Sequence, residues 1–68
     1  MTYIGSETIG AGNQVHYWQD GDGATYAQDC CGARCGTMLR VQMNAADVAQ
    51  LKASTPQWWR DKMAQEAA

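Results

Sequence analysis

The stretch QVHYWQDGDGATYAQD, residues 14–29, decides the fold of this chain. Residues 14–19 include Val15, Tyr17 and Trp18, which are residue types that favour strands. Residues 20–23 hold two consecutive Asp-Gly pairs, a strong hairpin signal because these residues accept the positive φ angles of tight turns. The stretch therefore predicts an antiparallel β-hairpin that turns at residues 20–23.

The register of this hairpin stays open at the level of sequence. A two-residue loop at residues 21–22 places Tyr17 opposite Tyr26, an aromatic pair of the kind that stabilises sheets. A loop at residues 22–23 instead places His16 opposite Asp29.

Two further segments extend the predicted sheet. Residues 3–9 form a candidate strand before the hairpin. In residues 37–43 the apolar side chains recur at every second position, which predicts a half-buried strand. The buried side of this second strand is expected to consist of Leu39, Val41 and Met43.

The last third of the chain changes to helical spacing, with predicted helices over residues 45–53 and 57–67. Asn44 is expected to cap the first helix, because an Asn side chain can accept the unpaired N–H groups of the first turn. Val48 and Leu51 form the buried side of that helix.

The second helix carries two adjacent tryptophans. Thr55 is expected to cap it, with Pro56 at its first position. Trp59 and Met63 share one stripe of this helix, whereas Trp58 points about 100° away. We therefore expect Trp59 in the core and Trp58 exposed at the surface.

Together these segments predict one small α+β domain over residues 1–68, with a three- to four-stranded antiparallel sheet and one or two C-terminal helices on one face. Residues 1–43 are mainly β, with a Cys-rich turn at residues 30–36, and residues 44–68 are helical. A chain of 68 residues leaves about 40% of its unfolded surface exposed after folding. Because no cofactor cleft between two layers fits into such a domain, we expect no enzymatic activity.

Charge composition narrows the class of partner. The chain has a net charge of −2 at pH 7, so it lacks the basic excess of a general nucleic-acid binder, and nucleic acid is not expected as a partner. All five basic residues lie after residue 29. The first half therefore predicts an acidic surface for a basic partner, with ordinary solvation of turns as the alternative.

The sequence shows no targeting signal, which predicts a cytoplasmic protein. The first ten residues, MTYIGSETIG, lack the charged start and the apolar stretch of a signal peptide. The chain also has no apolar run of the roughly 20 residues that a membrane-spanning helix needs. We therefore expect a cytoplasmic chain without a membrane partner.

The cysteines cluster in CCGARCG, residues 30–36. Cys30, Cys31 and Cys35, with the single histidine His16, are the one set of four Cys and His ligands that the chain can offer to zinc. The turn resembles a zinc knuckle, although it departs from the C-x2-C-G spacing and has no second ligand pair. Zinc would also stabilise a small hydrophobic core, because the chain has only seven Leu, Ile and Val residues and no Phe.

Two alternatives to zinc remain open for this cluster. The cysteines can be thiols without metal, packed as small hydrophobic side chains or exposed. They can also form a disulfide, structural or redox-linked, between Cys35 and either Cys30 or Cys31.

These observations favour a non-enzymatic protein-interaction module that regulates or inhibits a larger protein machine. In size class it is similar to the anti-CRISPR-like or antirestriction-like inhibitors of phages and mobile elements. The alternatives are a zinc-stabilised module that binds nucleic acid or acts in transcription, and a thiol-based redox or metal-carrier protein. The partner is expected to be a larger protein or a second copy of the chain. The residues expected to contact it are Trp58, Trp18, Asp20, Asp22 and Arg60.

Overall fold

The computed structural model describes residues 1–10, 12–31 and 34–66. Over these residues the chain forms an antiparallel sheet followed by two helices, which confirms the predicted α+β class. The elements are β1 (Thr2–Ile9), β2 (Asn13–Gln19), β3 (Thr25–Cys31), β4 (Arg34–Cys35), β5 (Leu39–Val41), α1 (Ala45–Ser54) and α2 (Gln57–Glu66).

The strand order is β1-β2-β3, and both short strands pair with the free edge of β3. The predicted Cys-rich turn at residues 30–36 is therefore partly strand, because β3 runs to Cys31 and β4 begins at Arg34. Gly32 and Ala33, at the centre of that predicted turn, lie outside the described residues. The predicted end of the second helix at Ala67 also lies outside them.

The hairpin of β2 and β3 turns where the Asp-Gly pairs predict, but its register is neither of the two expected ones. Trp18 lies opposite Tyr26, midway between the two alternatives. The reason is a longer loop that the Asp20 side chain organises. Its Oδ1 accepts the backbone N–H groups found two and four residues further on, each at 2.9 Å. Gly23 closes the loop with a φ of 89°, the conformation that follows a three-residue turn.

Strand β1 contains an irregularity that determines how the helices pack. Its pairing with β2 shifts register between Tyr3 and Gly5, so Ile4 is an extra residue. Gly5 has a φ of 154°, and a Cβ atom there would lie 2.5 Å from Thr55 Oγ1 and 2.9 Å from Leu51 Cγ. A glycine at this point therefore lets the end of α1 approach the strand closely.

One face of the sheet is covered by α1. Ile4 is fully buried and packs with Val48 and Leu51 of the helix. The partly buried side chains of Tyr17 and Met43 complete this cluster. The predicted burial of Val48 and Leu51 is confirmed.

The start of α1 also agrees with its prediction. Asn44 Oδ1 accepts the backbone N–H of Asp47 at 2.8 Å, so Asn44 is the N-cap. Asp47 also places a negative charge in the first turn, where the helix dipole stabilises it.

The connection between the helices corrects a sequence prediction. Thr55 does not cap α2; its N–H donates to the Leu51 carbonyl at 3.1 Å and closes the end of α1. Its Oγ1 accepts the backbone N–H of Ser6 at 3.3 Å, which ties the connection to β1. The carbonyl of Pro56 accepts the N–H of Arg60 at 3.1 Å, so the hydrogen bonding of α2 begins at Pro56.

The sequence predicted that the helices lie on one face of the sheet. The structure differs, because α1 and α2 do not share a face. Consecutive residues of a strand point to opposite faces. The Trp18 side chain therefore lies on the face of the sheet away from Tyr17 and the α1 cluster. There the Trp18 ring packs against Tyr3 and His16. Trp59 of α2 reaches the same group through a hydrogen bond to Tyr3. The reason is that β1 is an edge strand, and the chain passes around it between the helices.

The strand predicted over residues 37–43 is shorter and less buried than expected. Only Leu39–Val41 forms β5. Leu39 is 64% exposed, whereas Val41 and Met43 are half-buried. Leu39 lies on an edge strand, where the alternating pattern of side chains continues without a covering layer.

Candidate functional site

Trp58 is the large apolar side chain that α2 presents to solvent, with 67% of its surface exposed. Its ring packs edge-on against Trp59, with 5.7 Å between centroids and an interplanar angle of 73°. Trp59 is half-buried, and its Nε1–H donates to Tyr3 Oη at 3.3 Å. The expected division is confirmed in direction, since Trp58 is exposed and Trp59 faces the core.

The first turn of α2 is held by a chain of side-chain hydrogen bonds. Arg60 donates from Nε to the Thr55 carbonyl at 3.3 Å and from Nη2 to Gln57 Oε1 at 2.8 Å. Gln57 in turn donates from Nε2 to Asp61 Oδ1 at 2.8 Å. The Arg60 guanidinium therefore organises the start of the helix. Because two of its nitrogen atoms already donate hydrogen bonds there, it would act on a partner mainly through its charge.

Asp61 and Lys62 lie three and four residues after Trp58, which places them beside it on the same side of the helix. Lys62 Nζ stands 5.6 Å from the centre of the Trp59 ring, within the range of a cation–π contact. We define Trp58, Asp61 and Lys62 as the Trp58 surface.

The two aspartates of the hairpin loop have different roles. Asp20 is half-buried, and both of its carboxylate oxygens accept hydrogen bonds: Oδ1 from the loop backbone and Oδ2 from the Tyr26 hydroxyl of β3 at 3.4 Å. Asp22 is exposed. The structure therefore gives Asp20 a folding role, and of this pair only Asp22 is free to meet a partner.

The expectation that Trp18 contacts a partner does not agree with its position. Trp18 is only 8% exposed. Its ring packs edge-on against Tyr3, with centroids 5.3 Å apart. Strand β2 carries large aromatic residues at two adjacent positions, so composition alone could not show which face of the sheet would be closed over Trp18.

The cysteine cluster contains a disulfide. Cys30 and Cys35 are directly opposite each other in the β3–β4 pair and are bonded. Cys31 is a free, exposed cysteine. Because consecutive strand residues alternate between faces, the Cys31 thiol lies on the other side of the sheet from the disulfide. Of the open alternatives, the structure contains the disulfide, with Cys30 as the partner of Cys35.

His16 is buried, with 7% of its surface exposed, and hydrogen-bonds through Nδ1 to the Tyr3 hydroxyl at 2.9 Å. Burial lowers the pKa of His16 from its ordinary value. Within the described residues, no group of three or more His, Cys, Asp or Glu side chains converges as a metal site. The expected set of His16, Cys30, Cys31 and Cys35 is therefore not assembled in this disulfide-bonded fold, and zinc binding stays a prediction for the reduced chain.

Removing the disulfide tests its contribution to stability. We expect the double variant Cys30→Ser with Cys35→Ser to lose about 2 kcal/mol of unfolding free energy, because the bond closes only a short loop. Urea unfolding of both proteins, without reductant, measures the difference. Wild-type protein in reductant and chelator should match the variant. A reduced wild type that regains its stability on addition of zinc would instead show that the thiols bind metal.

Comparisons with known proteins return no relative of this chain. No protein-family model matches it, and no curated protein or solved structure matches it either. Neither α1 nor α2 combines the length and apolar composition that crossing a membrane requires.

Proposed function

We propose that this chain is a small, non-enzymatic protein-binding module that regulates or inhibits a larger protein, and that Trp58 is its anchor. The observation that carries the proposal is the 67% exposure of Trp58 on α2. Tryptophan is enriched among the few residues that supply most of the binding energy at protein interfaces. The exposed Trp58 side chain therefore supports the proposal that a partner covers this surface.

The support beneath Trp58 favours tight binding. Its ring rests on Trp59, which is hydrogen-bonded to Tyr3. The hydrogen bonds of Arg60 hold the start of the same helix. A side chain that is already ordered loses less conformational entropy on association, so more of its contact energy appears as affinity.

The charges around Trp58 indicate the chemistry of the partner. Asp61 and Lys62, three and four residues after Trp58, place one anion and one cation on the same side of the helix as the indole. A matching site is an apolar pocket whose rim carries an acidic group for Lys62 and a basic group for Asp61, since complementary charge speeds association and selects partners. The loop between β2 and β3 carries the exposed Asp22. It offers a second contact, for a basic group of the partner.

Size and charge also support the narrower proposal of an inhibitor in the manner of anti-CRISPR-like or antirestriction-like proteins. In this proposal the module acts in the cytoplasm, where disulfides are usually reduced. Binding must then be independent of the Cys30–Cys35 bond. This is consistent with the fold, because α2 contacts β1, and the disulfide joins β3 to β4.

A variant pair tests whether Trp58 is a surface anchor or part of the core. We expect Trp58→Ala to melt within about 4 °C of the wild type, because truncating an exposed side chain changes stability by only about 0.5 kcal/mol or less. Leu39→Ala, which truncates another exposed apolar side chain, is the matched control. Thermal melts and size-exclusion chromatography are the measurements. If Trp58→Ala unfolds, the tryptophan is core; if it alone converts a dimer to a monomer, the partner is a second copy.

A further inference from the structure

We propose that Trp59, Tyr3 and His16 form an acid-sensitive latch that holds α2 against β1, so that protonation of His16 releases α2 and the Trp58 surface with it. The latch goes beyond the proposed function, and it does not depend on that function, because the docking of α2 can be measured without a partner.

The latch is a chain of two hydrogen bonds between a helix and two strands. Trp59 Nε1 lies 3.3 Å from Tyr3 Oη, which lies 2.9 Å from His16 Nδ1. An indole N–H can only donate, so the Tyr3 oxygen accepts it. Within this network the single phenolic hydrogen finds an acceptor only at an unprotonated His16 Nδ1. The network therefore assigns neutral His16 to the tautomer with its hydrogen on Nε2.

Protonation of His16 makes this arrangement inconsistent. Nδ1 then carries a hydrogen and becomes a donor, so the Tyr3 oxygen faces donors from both Trp59 and His16. The phenolic hydrogen at the same time loses its acceptor inside a buried cluster. A buried donor without a partner is unfavourable, and displacement of the Trp59 indole is the change that relieves the conflict.

The surroundings of His16 do not compensate for a positive charge. On the flanking strands it faces Ser6 of β1 and Gln28 of β3, both uncharged, with Trp18 on its own strand. Among the described residues, no carboxylate hydrogen-bonds to the imidazole. A charged group that α2 brings near the latch is Lys62, whose Nζ stands 5.6 Å from the centre of the Trp59 ring. As a cation, it offers no compensation for an imidazolium.

The fold allows α2 to leave without the rest of the domain. In the described part of the chain, the backbone of α2 comes close to β1 and to none of the other helices or strands. α1 is held separately by Ile4, Val48 and Leu51 on the opposite face. Elements with few buried contacts open locally at less cost than the global fold, so acidification is expected to free α2 first.

The direction of the pH dependence follows from the lowered pKa of docked His16, which burial causes. Docking is complete above the ordinary histidine pKa of about 6.5 and weakens as the pH falls from there toward the lowered value. Each unit of difference between the docked and undocked pKa changes the docking equilibrium about tenfold.

Amide hydrogen exchange at pH 7.5 and pH 5.0 tests the latch, with each rate compared with its intrinsic rate at the same pH. We expect protection in α2 to be lower at pH 5.0 than at pH 7.5, while protection in α1 is retained. In His16→Gln, which cannot take up a proton in this range, α2 protection should be the same at both pH values.

A second variant keeps the test decisive if His16→Gln does not fold. Tyr3→Phe retains the ring and removes the relay, so α2 should already be loosened at pH 7.5. Nitrogen chemical shifts of His16 should also show the Nε2–H tautomer at pH 7.5. The latch is wrong if His16 titrates with α2 protection unchanged, if α1 and α2 lose protection together, or if Nδ1 carries the hydrogen.

Discussion

Gly5→Ala should lower the free energy of unfolding by about 3 kcal/mol, a large part of the total stability of so small a domain. The added Cβ would lie 2.5 Å from Thr55 Oγ1 and 3.2 Å from the Leu51 carbonyl oxygen. The backbone of Gly5, with a φ of 154°, is also a conformation that L side chains rarely adopt. Backbone strain and overpacking therefore act together at the point where the helix connection crosses β1.

The matched control for this variant is Gly21→Ala in the hairpin loop. A Cβ at Gly21 would meet nothing within 4 Å, so this change should leave stability within about 0.5 kcal/mol of the wild type. Urea unfolding followed by circular dichroism measures both variants. Equal stabilities for the two alanine variants would show that the helix connection does not need the glycine.

Ile4→Ala should cost about 4 kcal/mol, since truncating a large buried aliphatic residue removes burial and leaves a cavity. Ile4 is the one described side chain with less than 2% of its surface exposed, and it joins β1 to Val48 and Leu51 of α1. The same truncation at Ile9, which is 46% exposed, should cost less than about 1 kcal/mol. The same urea experiment measures the pair. Similar losses at both positions would mean that α1 does not organise the core.

Local signals in the sequence were sufficient to predict the hairpin and the first helix. The Asp-Gly pairs specify a turn, and Asn44 specifies a helix start, because each acts on backbone groups a few residues away. The register of the hairpin was not predictable from the same residues. It depends on which N–H groups the Asp20 carboxylate accepts, and several loop lengths are compatible with the same letters.

The buried network was beyond the reach of sequence reasoning because its members are distant along the chain. Tyr3 lies 13 residues from His16 and 56 residues from Trp59. Only the path of the chain around β1 brings them together. A glycine within the predicted strand of residues 3–9 does not by itself indicate a helix contact, and the role of Gly5 becomes visible only from the position of Thr55 beside it.

The cysteines illustrate a different limit. Their spacing is compatible with metal, thiols or a disulfide, and the choice depends on which partners the strand register places together. Once β3 extends to Cys31, Cys30 and Cys31 point to opposite faces, and only Cys30 meets Cys35. Exposure of the predicted partner-binding residues also depends on the fold. Trp58 lies at the surface, whereas Trp18 is buried.

The central claim, that Trp58 anchors a larger protein partner, is tested most directly by affinity. A partner first has to be recovered from source-cell extract with immobilised wild-type chain and then purified. Its dissociation constant is next measured by titration against wild type, Trp58→Ala and Leu39→Ala, all confirmed to melt alike. We predict that Trp58→Ala binds about 30-fold more weakly, equivalent to a hot spot of about 2 kcal/mol, and that Leu39→Ala binds like wild type. Equal affinity of Trp58→Ala and wild type would contradict the account.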